Sequence, residues 1–357
     1  VLSSCLVAKL AGLQENIPLA PLTTLKIGGP ARYFLEAKTE KEVLEAVSFA
    51  EDKNIPLFIL GGGSNLLIAD EGFNGLVLRV AITGVKSSRD GNNVILNVGA
   101  GEDWDNFVNQ CVEQDLAGIE CLSGIPGLVG GTPIQNVGAY GQEVERVIVS
   151  VRAYSRAEHK VVELSRDDCG FAYRTSIFNT TARDRYIVLS VCYRLRVGGE
   201  PTIQYADLQR YFAGQTDRVT LKAVREAVRR IRLSKAMLLV PGDVDCQSAG
   251  SFFKNPIVSP ETFARIESIA GQAPPRYPAP NGRIKTSAAW LIEQSGFVKG
   301  AHRGRVGISS KHTLAIINRG GATAKDVIAF MREIQTGVQQ RFGIELIPEP
   351  VFVGFDR

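Results

Sequence analysis

The sequence is short of the residues from which metal and disulfide sites are built. Its 357 residues include six cysteines and three histidines, and Cys5, Cys111, Cys121, Cys169, Cys192 and Cys246 form no C-x-x-C pair. Zinc sites draw closely spaced Cys and His ligands, and disulfide frameworks belong to small secreted chains. Neither is expected, no metal is called for, and a reducing cytoplasm fits best. Long apolar runs are missing too, so no membrane span is expected. Val1 to Ala20 carries an apolar patch, but Lys9 and Glu15 interrupt it and no basic segment precedes it, which argues against a secretory leader. The 41 basic and 37 acidic residues are spread along the chain without the basic stripe of a nucleic-acid binder. Small anions remain as partners. Repeats and long low-complexity tracts are absent.

What is present is enough apolar material, 45% of the chain, to bury more than one core, and at roughly 100–200 residues per domain two or three domains are expected. Arg32 to Ala37 reads as a strand. Thr39-Glu-Lys-Glu42 then forms a capping box opening a helix with Val43, Ala46, Val47 and Ala50 on one face. Ile55 to Leu60 follows as a buried strand. The residues after Gly61-Gly-Gly-Ser-Asn65, Leu66 to Ile68 and Leu76 to Val80, again read as strands, which departs from the dinucleotide-binding fingerprint with its helix after the glycines. Antiparallel strands are expected over Ile82 to Ala100, with a turn at Gly91-Asn-Asn, then a helix over Asp103 to Gln114 and further strands within Val147 to Val197. A helix over Thr220 to Lys235 has Leu221, Val224, Val228 and Ile231 on one side, while Lys222, Arg225, Arg229, Arg230 and Arg232 read mostly as a solvated basic face. A boundary near residue 215 would separate a second α+β unit. That unit has a Pro-rich loop over Gln272 to Asn281, a helix around Ser287 to Gln294, a strand at Leu314 to Asn318 and a long helix capped by Thr323.

Two glycine-rich stretches carry the first chemical signal. Gly61, Gly62 and Gly63, with Ser64 and Asn65, directly follow a buried strand, where backbone N–H groups can converge on a diphosphate; a tight turn explains three glycines equally well. The stretch Ser123 to Gly141 holds no charged residue and interleaves glycines with Ile125, Leu128, Val129, Ile134 and Val137. It therefore reads as buried, with the amides of Gln135 and Asn136 suited to the rim of a heteroaromatic ring; the alternative is a structural loop. Elsewhere, Ser251 in Ala249-Gly-Ser-Phe-Phe-Lys-Asn-Pro256 could deliver a proton or simply start a strand. Its surroundings are not the G-x-S-x-G of an esterase. Glu349, between Pro348 and Pro350, is a carboxylate on stiff extended backbone suited to an acid role, or a plain strand-edge residue. Arg174, after Tyr173, is a natural fork for a carboxylate or a surface ion pair, and Lys235 at a helix end suits a nucleotide phosphate.

In chain order, seven motifs resemble those of the UDP-N-acetylenolpyruvoylglucosamine reductase family over nearly the whole chain. They are Thr24-Leu-Lys-Ile-Gly-Gly29, Gly61-Gly-Gly-Ser-Asn65, Gly124-Ile-Pro-Gly127, Pro133-Ile-Gln-Asn-Val-Gly-Ala-Tyr-Gly141, Tyr173-Arg174, Gly250-Ser-Phe-Phe-Lys-Asn-Pro256 and Pro348-Glu349. The resemblance implies an α+β fold with a two-lobed FAD-binding domain of the vanillyl-alcohol-oxidase (PCMH) type and a C-terminal α+β substrate-binding domain. Residues 1–75, joined by 345–357, would form the first lobe, 76–215 the second, and 216–344 the UDP-sugar domain. It further implies non-covalent FAD, NADPH as hydride donor, and reduction of an enolpyruvyl UDP-sugar during peptidoglycan precursor synthesis; a monomer is expected. FAD would be held by Gly61, Gly62, Gly63, Ser64, Asn65, Ile125, Pro126, Gly127, Gly131, Thr132, Gln135, Asn136, Gly138 and Ala139. By the same match Ser251 protonates the substrate carbanion, and Arg174 and Glu349 stabilise the charge. Tyr205, Lys235 and Asn255 contact the UDP-sugar, Tyr205 resembling the subgroup with a tyrosine loop, and the link Leu238 to Asp245 between Lys235 and Ser251 is longer than usual. Two competing readings are an oxidase on the same scaffold, whose covalent forms often tether flavin through His or Cys, and a nucleotide-binding regulator without chemistry.

Overall fold

The computed structural model describes residues 10–355, so Cys5 and the first nine positions of the N-terminal reading lie outside the described residues. By its internal contacts the chain forms two compact units. The first comprises Ala31–Gly62 and Asn74–Leu233 with the residues leading to Ile17; the second comprises Pro18–Pro30, Gly63–Phe73 and Ser234 onward.

In the first unit, Thr39 caps helix α1 (Glu40–Asp52) with both halves of the capping box, its side chain accepting from the Glu42 N–H while Glu42 reaches back to the Thr39 N–H. Such a cap stabilises a helix by ~1 kcal/mol. Val43, Ala46, Val47 and Ala50 are buried as the spacing requires. The strands flanking α1, Pro30–Ala37 and Leu57–Leu60, are separated in their sheet by Phe73–Val80, which runs parallel to Leu57–Leu60. A short strand at Gln14–Pro18, not anticipated from the sequence, completes this sheet.

A second, antiparallel sheet has the strand order Lys160–Ser165, Ile148–Ser155, Tyr186–Val197, Asn93–Gly99 and Val85–Asp90. Helix α2 (Trp104–Glu113), capped by Asp103, packs Trp104 and Phe107 against Tyr193, with ring centroids 6.0 and 5.4 Å from it. One continuous hydrophobic core joins α1 and its sheet to α2 and the antiparallel sheet, so the regions expected as separate lobes share a single apolar interior.

Helices α3 (Ala206–Tyr211) and α4 (Leu221–Ser234) belong to this unit as well. Val224, Ala227 and Val228 of α4 pack with Leu208 of α3 and with Cys121. The contact boundary consequently falls after Leu233 instead of near residue 215.

The second unit has its own core. Helix α7 (Ala324–Phe342), capped by Thr323 and closed by Gly343 in the left-handed region, buries Val327, Met331, Ile334 and Val338 along one stripe. Against it pack α5 (Pro260–Ala270), α6 (Ala288–Gln294) and the small sheet holding Val306–Ile308 and Ile316–Asn318. The Pro-rich stretch contains the strand Arg276–Pro278. Near the C-terminus, Val351–Val353 lies parallel to Leu66–Ile68. Cys111, Cys121, Cys169, Cys192 and Cys246 are free and buried.

Candidate active site

The uncharged stretch of the first unit is strapped to the chain that leads into α2. Val129 N–H donates to the Glu102 carbonyl (2.9 Å), Gly130 N–H to that of Ala100 (2.8 Å), and Trp104 N–H to that of Gly127 (3.1 Å). Each bond satisfies a backbone group in a segment with little regular structure, which is what fixes its path. At its N-terminal end, a Cβ on Gly62 would stand 2.5 Å from Gly127 Cα, so the first glycine loop meets the second there without side chains between them. At Gly61 and at Gly131 a Cβ would meet nothing within 4 Å. The loops are thus closed against each other at one point and open beside it.

Two side chains of the stretch, Thr132 and Asn136, turn inward. Thr132 is buried, its hydroxyl donating to the Val129 carbonyl (2.8 Å) and lying 2.7 Å from the Tyr193 hydroxyl, so that hydroxyl is engaged within the protein. Asn136 is also buried. Its Oδ1 accepts from Glu145 N–H (3.2 Å), and its Nδ2 donates to the Ala172 carbonyl (3.1 Å), so the amide serves the loop and not a ring edge. Gln135 stays half-buried and keeps that candidate role, as do Ile125, Pro126, Gly127 and Ala139, while Gly138 is buried.

The Asn136 bond has a second effect. Ala172 and Thr175 bridge to form the tight turn that carries Arg174, and Ser176 Oγ donates to the Ile134 carbonyl (2.6 Å). Arg174 is thereby tied to the glycine loop through two bonds made by its neighbours. It sits at φ 56, a left-handed conformation costing a side-chain-bearing residue ~1–2 kcal/mol, and Asn179 Nδ2 supports it by donating to its carbonyl (3.2 Å). Tyr205, 44% exposed at the start of α3, meets Tyr140 edge-on at 5.4 Å.

In the second unit, Ser251 lies on an extended segment bonded on both sides. Phe252 N–H donates to the Leu314 carbonyl (2.7 Å), and the Phe252 carbonyl accepts from Glu349 N–H (2.9 Å). Phe252 and Phe253 are almost wholly buried and pack edge to face, which anchors the segment. Ser251 Oγ is 3.4 Å from His312 Nε2, a neighbour that the sequence reading did not single out. Glu349 N–H faces Phe252 and Val351 N–H faces the Asn65 carbonyl (2.9 Å), so the missing N–H of Pro350 falls between two made bonds and the strand keeps its pairing. Asn65 Nδ2 also reaches the Glu349 carbonyl (3.4 Å). A Cβ on Gly63 would strike the Leu22 carbonyl oxygen at 2.0 Å, and Thr24 N–H donates to the Gly63 carbonyl (3.1 Å), so the Thr24 motif packs directly on the third glycine.

Asn255 Oδ1 accepts the first N–H of α6, from Ala288 (2.9 Å), so its NH2 end is the part that can meet a ligand. Lys235 is half-buried just past α4. The long link after it is pinned by Lys311 to Asp243 (2.8 Å) and by Ser310 to Asp245 (2.6 Å), beside His312.

Comparison with known proteins matches residues 31–165 to the FAD binding domain and residues 242–353 to the C-terminal domain of UDP-N-acetylenolpyruvoylglucosamine reductase. A reductase of that name from Thermobifida fusca is 49% identical over 349 residues, covering 95% of this chain and 98% of the relative. The chain belongs to the UDP-N-acetylenolpyruvoylglucosamine reductase family. The relative of the same name from Streptomyces coelicolor is also 49% identical, over 95% of this chain and 90% of its own. The crystal structure of the reductase from Thermus caldophilus superposes with a TM-score of 0.62 at 26% identity, covering 96% of this chain and 99% of that one.

The first unit's loops suit the cofactor that its family model names. Glycine packs on glycine at Gly62 and Gly127, open space adjoins Gly61 and Gly131, and the stretch from Ser123 to Gly141 is free of charged side chains that would compete with a flavin or its diphosphate.

Proposed function

We propose that this chain reduces the enolpyruvyl double bond of UDP-N-acetylglucosamine enolpyruvate to give UDP-N-acetylmuramate, a step of peptidoglycan precursor synthesis, with NADPH as the source of hydride. The observation that carries the reading within the second unit is the pairing of the Ser251 and Glu349 segments, with the Ser251 hydroxyl directed at His312.

FAD held by the loops around Gly61 and Gly131 would supply the hydride chemistry, linking NADPH to the methylene carbon of the substrate. Hydride arriving there leaves negative charge on the carbon that bears the carboxylate. Arg174, held rigidly in its turn, is suited to grip that carboxylate, since its planar fork matches two oxygens. Charge spreading into the carboxylate in the transition state is then met by a cation already in place. The carbanion is basic enough to take the Ser251 hydroxyl proton, which completes the addition of one hydride and one proton across the double bond. Glu349 shares in stabilising the enolate, and Tyr205, Lys235 and Asn255 hold the UDP-sugar. In this reading the loops of residues 61–65 and 125–139 hold FAD, and the chain from Ser234 onward takes the UDP-sugar. The same proposal has the chain working in the cytoplasm as a monomer.

Incubating the protein with FAD, NADPH and the enolpyruvyl UDP-sugar, and following the sugar by mass spectrometry, tests this. The expected product carries one more hydride and one more proton than the substrate. Consumption of NADPH with unchanged UDP-sugar would count against it.

A further inference from the structure

Helix α4 was expected to turn its arginines to water, and two of them are instead buried, Arg225 and Arg232 each 9% exposed. Arg225, Arg229 and Arg232 follow one another at i, i+4 and i+7, so they share a face that borders the apolar stripe of Leu221 and Val228. Long arginine stems can lie along such a border while their heads find partners. Here the partners belong to the glycine loop and to the start of α2. Asp105 Oδ1 accepts from Arg225 Nη1 (2.6 Å) and from Gly124 N–H (2.6 Å). Asp105 Oδ2 accepts from Arg229. Arg232 Nε donates to the Gly124 carbonyl (3.1 Å), and Tyr140, further along the loop, hydrogen-bonds the same guanidinium.

Gly124 therefore has its N–H held by Asp105 and its carbonyl held by Arg232, side chains from two different helices gripping one residue. It adopts φ 71, in the left-handed region, and it begins the Gly124-Ile-Pro-Gly127 segment that leads to the contact with Gly62. Fixing the torsions at Gly124 fixes where Ile125, Pro126 and Gly127 go, because proline restricts both its own φ and the residue before it. Burial, the largest influence on the Asp105 carboxyl, raises its pKa, but the Arg225 hydrogen bond, the Gly124 N–H and the two guanidinium charges outweigh it and hold the group below its ordinary value.

We propose that Asp105, held by Arg225 and Arg229 and assisted by Arg232, is a positioning residue that sets the Gly124–Gly127 segment in the shape that binds FAD. This rests on the reading that the segment touches FAD. A purely structural role would lower the stability of the protein with and without FAD alike. A positioning role also weakens the binding of FAD itself.

The experiment measures FAD affinity by flavin fluorescence, and Tm with and without saturating FAD, on full-length wild type, Asp105→Asn, Asp105→Glu, Val228→Ala and Gly131→Val. Asp105→Asn is expected to weaken FAD at least ~10-fold, about 1.4 kcal/mol, and to shrink the rise in Tm that FAD produces; Asp105→Glu should recover part of both. Val228→Ala, which only trims the packed face of α4, should lower both Tm values equally and leave the rise intact. Gly131→Val, placed where a Cβ meets nothing in the protein, should weaken FAD binding if the loop lines the cofactor. Should Asp105→Asn fail to fold, Arg229→Gln, which removes the more exposed partner, replaces it with the same expectation. Unchanged FAD affinity in the Asp105 or Arg229 variant, with Gly131→Val weakened, would overturn the positioning role alone. Full affinity in Gly131→Val would overturn the loop reading beneath it.

Discussion

The glycine loop of the first unit and the Ser251 segment of the second are both irregular chain, but they are held by different means. The loop is gripped along its length by backbone bonds to residues 100–104 and by side chains reaching in from Asp105, Arg232 and Ser176. The Ser251 segment is bonded through its backbone on both flanks and anchored by two buried phenylalanines, while the Ser251 hydroxyl has one long contact, to His312. One construction fixes the shape of a surface made of main chain. The other fixes the place of a hydroxyl without locking up its proton.

The sharpest way to break this contrast is Ser251→Ala. Loss of a positioned proton donor typically costs 10²–10⁴-fold, so reoxidation of reduced flavin by the enolpyruvyl substrate should slow by about that factor while NADPH-driven bleaching stays unchanged, as stopped-flow absorbance would show. Equal slowing of both half-reactions would mean that Ser251 supports the fold instead. On the loop side, Gly62→Ala forces a Cβ to 2.5 Å from Gly127 Cα. Overpacking of that kind costs ~1–3 kcal/mol, and a lower Tm together with weaker flavin binding is expected.

A smaller effect separates the two regions by pH. Because the folded-state pKa of Asp105 is depressed, its stabilisation is present above the carboxyl's ordinary value of 3.8 and fades as pH falls further, through the folded value. The stability gap between wild type and Asp105→Asn, expected to be about 1–3 kcal/mol at neutral pH, should therefore close in acid denaturation series below that point. A gap that widened in acid would contradict the ion-pair account. Smallest is Thr39→Ala, which removes the capping box of α1 far from either region in sequence. It should cost ~1 kcal/mol in urea unfolding and leave flavin affinity as it was.

Much of the fold could be read from local pattern. The Thr39 box, the apolar faces of α1 and α7, and the strands around the Gly91 turn follow from periodicity and cap chemistry, and the structure has them. The burial of the uncharged glycine stretch was legible for a similar reason: runs of glycine without charge restrict what can surround them. Side-chain orientation was not. Thr132 and Asn136 carry polar groups that suit a ligand and suit the protein equally, and only tertiary neighbours, Tyr193 in one case and Ala172 with Glu145 in the other, decide between them. The arginines of α4 misled for the opposite reason. Periodicity assigns charge to the outer face, but Asp105, 120 positions from Arg225, neutralises part of a buried one. The spacing Arg225, Arg229, Arg232 along the edge of an apolar stripe was the available signal, and it has meaning only once a distant acid is known. His312 was invisible for the same reason, being 61 positions from Ser251.

The most direct test of the account follows flavin absorbance of the purified protein without oxygen, first on addition of NADPH and then of the enolpyruvyl UDP-sugar. Bleaching by NADPH and recovery of the oxidised spectrum on adding the sugar is the predicted result. A flavin that bleaches and recovers only when oxygen is admitted would contradict it and point to an oxidase.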